Sequence, residues 1–275
     1  MKPRTVWAVY FSATNTTQTL VTSAARLMAN RLGAAYAQRS FTLPRERQEE
    51  LAFSCDDLVV LGVPVYAGRV PNLLLPYLQE HLHGGGALAV PMVVYGNREY
   101  DDALAELQDL MESHDFHTIA AAAFIGEHSF SRVLAAGRPD NQDMAVLARF
   151  AFGAAEKAEK LSSPPAAPVD LCREQHRWEY YQPRDEQGQP INILKVTPKT
   201  DREKCIRCGK CAEKCPLGSI DPADFSTLRG KCMKCCACVK GCPVGAKYFD
   251  DPGYETHRRI LESRFARRAE PQLFL

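Results

Sequence analysis

Cys205, Cys208, Cys211 and Cys215 stand at gaps of two, two and three residues, and Pro216 follows the last. The same spacing returns at Cys232, Cys235, Cys238 and Cys242, with Pro243 behind it. Every member is displaced by one constant interval, and so is Lys204 onto Lys231, so the two sets form an internal repeat. The chain holds 11 cysteines, and nine of them fall between Cys205 and Cys242. In a small secreted domain that density would mean disulfides. Behind a long α/β pattern it points to thiolates that bind metal or carry redox chemistry. Zinc sites generally set out separated C-x2-C pairs. Three closely spaced cysteines with a further Cys-Pro fit iron–sulfur cubanes instead. Thiolates two residues apart in a tight loop converge on one cluster, and the fourth is carried away from that loop. Cys236 stands beside a ligand in "KCCAC" and faces elsewhere if Cys235 faces iron, as a sulfur packed near the cluster. Cys172 stands alone and reads as structural.

The elements ahead of the cysteines alternate between strand and helix patterns. "VWAVYFS", "DDLVVLGVPVY", "GGGALAVPMVVYG" and "TIAAAAFIG" read as buried strands, and "AAYAQRS" as a weaker one. Apolar residues at helical spacing mark "TQTLVTSAARLMANRL", "PNLLLPYLQEHL", "DDALAELQDLMESH" and "NQDMAVLARFAFGAAEKAEKL". Alternation of this kind predicts an α/β fold with a doubly wound, five-stranded parallel sheet, whose ligands sit at the carboxyl ends of the strands. The triple glycine from Gly84 to Gly86 lies between a helix and a strand and reads as a turn.

Three strand ends are candidates for a ligand site. In "FSATNTTQ", Ser12, Thr14, Asn15, Thr16 and Thr17 offer hydroxyls, an amide and backbone N–H groups at a helix N-terminus, which makes a phosphate cradle. It has neither the G-x-G-x-x-G of dinucleotide folds nor the GK[ST] of P-loops. A phosphate held by hydroxyls without a lysine suits flavin mononucleotide (FMN), and the alternative is an ordinary N-cap with spare hydroxyls. "GVPVYAGRVP" places Pro64, Val65, Tyr66, Ala67 and Gly68 at the next strand end, and "VYGNREYDDA" places Tyr95, Gly96, Asn97 and Tyr100 at the one after. Aromatics and exposed amides at adjacent strand ends suit a flat ring that stacks and hydrogen-bonds. Glu127 and His128, after the last strand, could line the same pocket. For His128 a partly exposed loop position is the equal alternative.

From Lys2 to Leu161 the chain resembles a flavodoxin, through "YFSATNTTQ", "GVPVYAGRVP", "YGNREYDDAL" and "FIGEHSFS", and specifically the flavodoxin half of flavodoxin–ferredoxin fusion proteins. The resemblance implies that the first loop binds the FMN phosphate and the next two flank the isoalloxazine. Asn15 stands where the commoner flavodoxin loop has glycine, and asparagine tolerates positive φ better than most residues. From Lys199 to Asp250 the chain resembles bacterial two-cluster ferredoxins. That resemblance implies one 4Fe–4S cluster on Cys205, Cys208, Cys211 and Cys242 and a second on Cys232, Cys235, Cys238 and Cys215, each fourth ligand being exchanged between the sets. Cys208 and Cys235 are both present, which favours four irons in each. Small ferredoxins of this kind are usually acidic. Here ten Lys and Arg face six acids between Thr200 and Asp250. These basic residues could tune the clusters, dock an acidic partner or the flavodoxin half, or form a solvated face.

The expected organisation is a flavodoxin-like domain over 1–162, a proline-containing connector over 163–198 that lies across the domains, and a ferredoxin domain over 199–275 with a C-terminal helix. The tail "HRRILESRFARRAEPQLFL" begins as a basic amphipathic helix, expected to pack back on a domain. The 275 residues carry a net charge of +1 and are 45% hydrophobic. Near-neutral charge argues against nucleic acid as a partner, and no apolar run is long enough to predict a membrane span. No signal peptide is read in "MKPRTVWAVYFSATN", so the expected location is cytoplasmic. Two functions follow as expectations. One is an electron carrier between a donor and an acceptor protein. The other is an FMN enzyme that reduces a small quinone-like or unsaturated acceptor with electrons from its clusters. No NAD(P)H module is recognisable, which favours a protein donor in both. The flavin edge would face the clusters within one chain or across a homodimer.

Overall fold

The computed structural model describes residues 2–172 and 178–275. The chain runs through β1 (Thr5–Tyr10), α1 (Thr16–Leu32), β2 (Ala35–Ser40), β3 (Leu51–Ala52), β4 (Asp57–Pro64), α2 (Leu75–His81), β5 (Leu82–His83), β6 (Ala87–Tyr95) and α3 (Ala103–Glu112). It continues through β7 (Phe116–Thr118), β8 (Ala121–Ile125), α4 (Asn141–Lys160), β9 (Lys199–Thr200), α5 (Lys210–Glu213), α6 (Ala237–Lys240), β10 (Lys247–Tyr248), α7 (Pro252–Arg264) and β11 (Gln272–Phe274).

Strand periodicity builds the two cores. Val6, Ala8 and Tyr10 point to one face of the sheet, and Val9 and Phe11 to the other. β4 splits in the same way, Leu58 and Val60 against Val59, Leu61 and Val63. α1 and α4 cover the first face, while α2, α3 and the connector residues Val169 and Leu171 cover the second. Gly62 in β4 lets α1 approach, since a Cβ there would lie 2.2 Å from Val21 Cγ2. α1 stops at Gly33, whose left-handed backbone turns its N–H onto the Ala29 and Asn30 carbonyls.

The sheet runs β11-β8-β6-β4-β1-β2. The five expected parallel strands are β2, β1, β4, β6 and β8, in that spatial order, but the sheet has seven strands. One addition comes from the run "TIAAAAFIG", which breaks: β7 pairs β6 as far as Ala89↔Thr118, and β8 resumes at Met92↔Ala122. Pro91 of β6 falls in that gap, where its missing N–H interrupts no ladder. The other addition is β11, which pairs antiparallel with β8 at residues 121–123. The C-terminus therefore leaves the cysteine-rich segment and closes an edge of the first domain.

In the cysteine-rich segment β9 and β10 pair antiparallel and tie the ends of the repeat together. The backbone repeats with the sequence. Arg207 and Lys234 share a left-handed φ (53° and 56°), as do Gly209 and Cys236 (77° and 59°) and Gly218 and Gly245 (61° and 65°). α7 buries Tyr254, His257, Ile260 and Leu261, so the basic helix packs on the protein. In the connector Val169 N–H donates to Thr118 O (3.1 Å) and Tyr181 N–H to Ala67 O (2.8 Å). Lys234 Nζ donates to Leu194 O (3.0 Å), so described residues between α4 and β9 touch both the sheet body and the cysteine-rich segment. Among the described residues no helix is long and apolar enough to cross a membrane.

Candidate functional site

The hydroxyl-rich loop turns between β1 and α1. Ser12 is buried. Its N–H donates to Thr42 Oγ1 (2.9 Å), and its hydroxyl accepts from Gln18 N–H (3.0 Å). Asn15 precedes α1 at φ 68°, the positive φ that glycine usually supplies there. The backbone N–H groups of residues 13 to 17 have no protein acceptor among the described residues. Successive free N–H groups at a helix start form an anion-binding concavity. Gly126, just after β8, permits this loop to pack, because a Cβ would lie 2.5 Å from Thr16 Cγ2.

A cavity of about 480 Å³ opens on this loop, within the range of roughly 300–1,000 Å³ usual for small-molecule sites. Ser12, Thr14, Asn15, Thr16 and Glu127 line it. Thr17 is buried behind them. The structure adds Thr42, Glu46 and Arg138 from the sheet body, and Lys214 and Lys240 from the cysteine-rich segment. Sequence reasoning missed these because their strand ends and cysteine loops meet the pocket only in three dimensions. Arg138 is committed to Asp143 and to Ala269 O, and Glu46 accepts from Ser40 Oγ and Leu43 N–H.

The two loops expected to flank a ring do not line this cavity, and the tail and connector bond to them. Ala67 (φ 51°) and Gly68 (φ 79°) turn the chain after β4, and a Cβ on Gly68 would lie 2.3 Å from Asp101 Oδ2. Val65 N–H donates to Val94 O (2.8 Å), and Pro64 ends β4. Tyr66 and Met233 pack against the same core, and burial, then the neighbouring Cys235, Cys236 and Cys232, push the Tyr66 phenol up. Tyr95 is buried against Tyr100, centroids 5.5 Å apart, and burial pushes its phenol up to about 12. Asn97 (φ 68°) gives its amide to the tail: Nδ2 donates to Phe265 O (2.6 Å) and Arg267 O (2.7 Å), and Oδ1 accepts from Ala269 N–H (3.2 Å). The Tyr100 hydroxyl meets Gln272 Oε1 at 2.5 Å. Gly96 lies under His128, whose Cδ2 would be 2.3 Å from a Cβ. His128 Nδ1 accepts from Phe130 N–H (3.1 Å), and burial lowers its pKa to about 3, so the ring is neutral.

The cysteines sort into two groups in space. Cys205, Cys208, Cys211 and Cys242 line one cavity, and Cys215, Cys232, Cys235 and Cys238 line another. The same two quartets follow from exchanging the fourth cysteine between the repeats. Ser219 N–H meets Cys215 Sγ at 3.3 Å and Ala246 N–H meets Cys242 Sγ at 3.2 Å, equivalent bonds in the two repeats. The quartets differ in depth. Cys208 is exposed, whereas Cys235 and Cys238 are buried, and burial pushes the Cys238 thiol up to about 12. Cys236 also borders the second cavity, with its Sγ 3.5 Å from both Lys234 O and the Tyr254 hydroxyl.

The two sites share a wall. Lys240, between Cys238 and Cys242, donates Nζ to Glu127 Oε1 (2.6 Å) and His128 O (2.7 Å). Arg47 donates to Pro216 O (2.6 Å), directly after Cys215.

Residues 198–221 match the family described as a 4Fe-4S binding domain, a span that includes the first cysteine set. No curated protein matches the chain. Among solved structures, a flavodoxin from the domain Archaea is 13% identical, with a TM-score of 0.39 over 56% of this chain and 99% of its own. The apo NADH:FMN oxidoreductase EmoB is 17% identical, with a TM-score of 0.43 over 59% of this chain and 92% of its own. Two-electron reduced Megasphaera elsdenii flavodoxin is 16% identical, with a TM-score of 0.38 over 55% and 98%. The flavodoxin-type assignment rests on the strand order itself, since doubly wound sheets of this kind place the second strand outside the first and the others in sequence on its far side. A doubly wound sheet of flavodoxin-type strand order and a segment that matches a 4Fe-4S binding domain are thus joined in one chain.

Proposed function

We propose that the chain is an electron-transfer protein that holds FMN in the sheet body and two 4Fe–4S clusters in the cysteine-rich segment, and relays electrons between a donor and an acceptor protein. The observation that carries this reading is the shared wall: Tyr66 lies beside Cys232, Cys235 and Cys236, and Lys240 reaches Glu127 and His128. FMN exchanges one or two electrons and each cluster one, so together they supply a junction between two-electron and one-electron carriers.

The residues that line the cavities fit the FMN phosphate and cysteine-held iron, while the loops expected to flank the flavin ring do not line the phosphate cavity. The free N–H groups of residues 13 to 17 and the surrounding hydroxyls match a phosphate. Each quartet supplies four thiols around a cavity, the number a cubane requires. At the shared wall the His128 ring is neutral and Lys240 is paired with Glu127. The connector, tail and cysteine loops cover the loops that would flank the ring, which supports exchange with proteins over a bound small acceptor. Ile206 and Val244 line the first cysteine cavity and are exposed (61% and 40%). Arg207 and Lys210 line the same cavity, and such a patch suits an acidic redox protein.

The test is anaerobic reconstitution of the full chain, with counts of iron, sulfide and FMN, followed by stopped-flow reduction. The expected result is about eight irons and one FMN per chain, with cluster and flavin bands responding to a single added protein donor. A chain that takes up iron but no flavin, or a flavin band that never responds to reduced clusters, would sink the reading.

A further inference from the structure

The hydroxyl loop carries no cation, yet an FMN phosphate brings negative charge. The charged groups that line the cavity are Glu46, Glu127, Arg138, Lys214 and Lys240. Arg138 is already neutralised by Asp143, against which it is buried. Lys240 and Glu127 neutralise each other across the domain boundary. Glu46 is held by Ser40 and Leu43. The Lys214 ammonium has no hydrogen-bond or ion-pair partner among the described residues, and its side chain lies beside Gly241, 3.4 Å from where a Cβ there would be.

We propose that Lys214 and Lys240, both from the ferredoxin-type segment, supply the positive side of the FMN phosphate site, so that flavin affinity and cluster loading are coupled. The proposal rests on the reading of this cavity as the FMN site. Lys214 acts as the free cation. Lys240 cancels Glu127 and keeps that wall from repelling the phosphate. Each lysine sits within the cysteine framework, Lys214 next to Cys215 and Lys240 between Cys238 and Cys242. Their positions therefore depend on the loops that metal binding orders. Linkage requires the effect to be reciprocal, so FMN holds the clusters as the clusters hold FMN. The sheet body alone then provides an incomplete phosphate site.

Binding of FMN and of riboflavin, which lacks the phosphate, is measured anaerobically by quenching of flavin fluorescence on the full chain. In the cluster-loaded protein, K214Q is expected to raise the FMN Kd about tenfold, the loss of one charge-assisted contact, while K214R stays within about twofold of wild type. K240Q raises it further, because Glu127 is left unpaired. Riboflavin affinity does not change in any of them. Removing the clusters weakens FMN binding to wild type and erases the difference from K214Q. If K214Q and K240Q retain full iron content and bind FMN as wild type does, the proposal is overturned and the FMN reading stands. Equal losses for FMN and riboflavin also overturn it, because the lysines would then be structural. A wild-type chain that binds neither flavin overturns the FMN reading and this proposal with it.

Discussion

In the sheet body every residue of β6 is buried, and two apolar cores flank the strands. Between Thr200 and Asp250 the buried hydrophobic residues are Ile220, Ala237, Ala246 and the cysteines Cys235, Cys236 and Cys238. The first region has enough apolar area to fold on its own burial. The second does not, and its loops surround cavities lined by sulfur. Small domains of that kind draw their folding free energy from metal ligation. One chain thus joins a body held by water exclusion to a segment with little apolar core of its own, and β11 and α7 bind the two together.

The largest expected effect separates the two regions directly. Removing iron by chelation should unfold the cysteine-rich segment while the sheet survives, read as loss of amide-exchange protection between β9 and β10 with protection kept in β4 and β6. Cooperative loss of both regions would show instead that β11 and α7 make them one unit. The C235S/C238S variant should keep about half the iron, because the other quartet is complete without those residues.

A core substitution addresses the same contrast from the other side. Phe124, fully buried on β8, should cost about 3–5 kcal/mol when replaced by Ala, seen as a lower urea midpoint for the sheet. Iron content at zero urea should be unchanged, and iron loss would show that the segment leans on this core.

The junction between the regions should carry the pH dependence. Burial lowers His257 to about 4, and its Nδ1 has no hydrogen-bond partner. His128 is lowered to about 3. Both pKa values lie below the unfolded-state value of about 6.5, so the unfolded chain binds more protons between these limits. Stability is therefore complete above about pH 6.5 and falls as pH drops toward 4, by about 2 kcal/mol for His257 between pH 7.5 and 5. Urea midpoints at the two pH values check this, and H257F should flatten the slope.

The smallest effect lies within the repeat. Gly209 and Cys236 are equivalent and both left-handed. A Cβ at Gly209 meets nothing closer than 3.6 Å, so G209A should cost only the left-handed penalty of about 1–2 kcal/mol, measured as faster iron release to a chelator. No change would mean that ligation overrides backbone preference at these loops.

Features set by local chemistry could be read from the residues alone. Strand periodicity marked β1, β4, β6 and β8, the hydroxyl loop marked a strand-to-helix turn, and cysteine spacing marked the two sets. The run that became β7 and β8 read as one strand, because the break depends on Pro91 of a neighbouring strand. Asn97 and Tyr100 read as ring-facing residues, yet their polar atoms meet the tail, a contact more than a hundred residues distant with no local signature.

The alternation of elements and the two sulfur-rich loops follow from apolar periodicity and ligand spacing within a few residues, and Asn15 is a residue that tolerates the positive φ found there. That β11 closes the sheet edge, that Lys214 and Lys240 line the hydroxyl-loop cavity and that the more buried quartet borders Tyr66 emerges from the folded chain alone. Those outcomes arise from packing one domain's surface on another's, where charge and shape complementarity are summed over residues far apart in the chain.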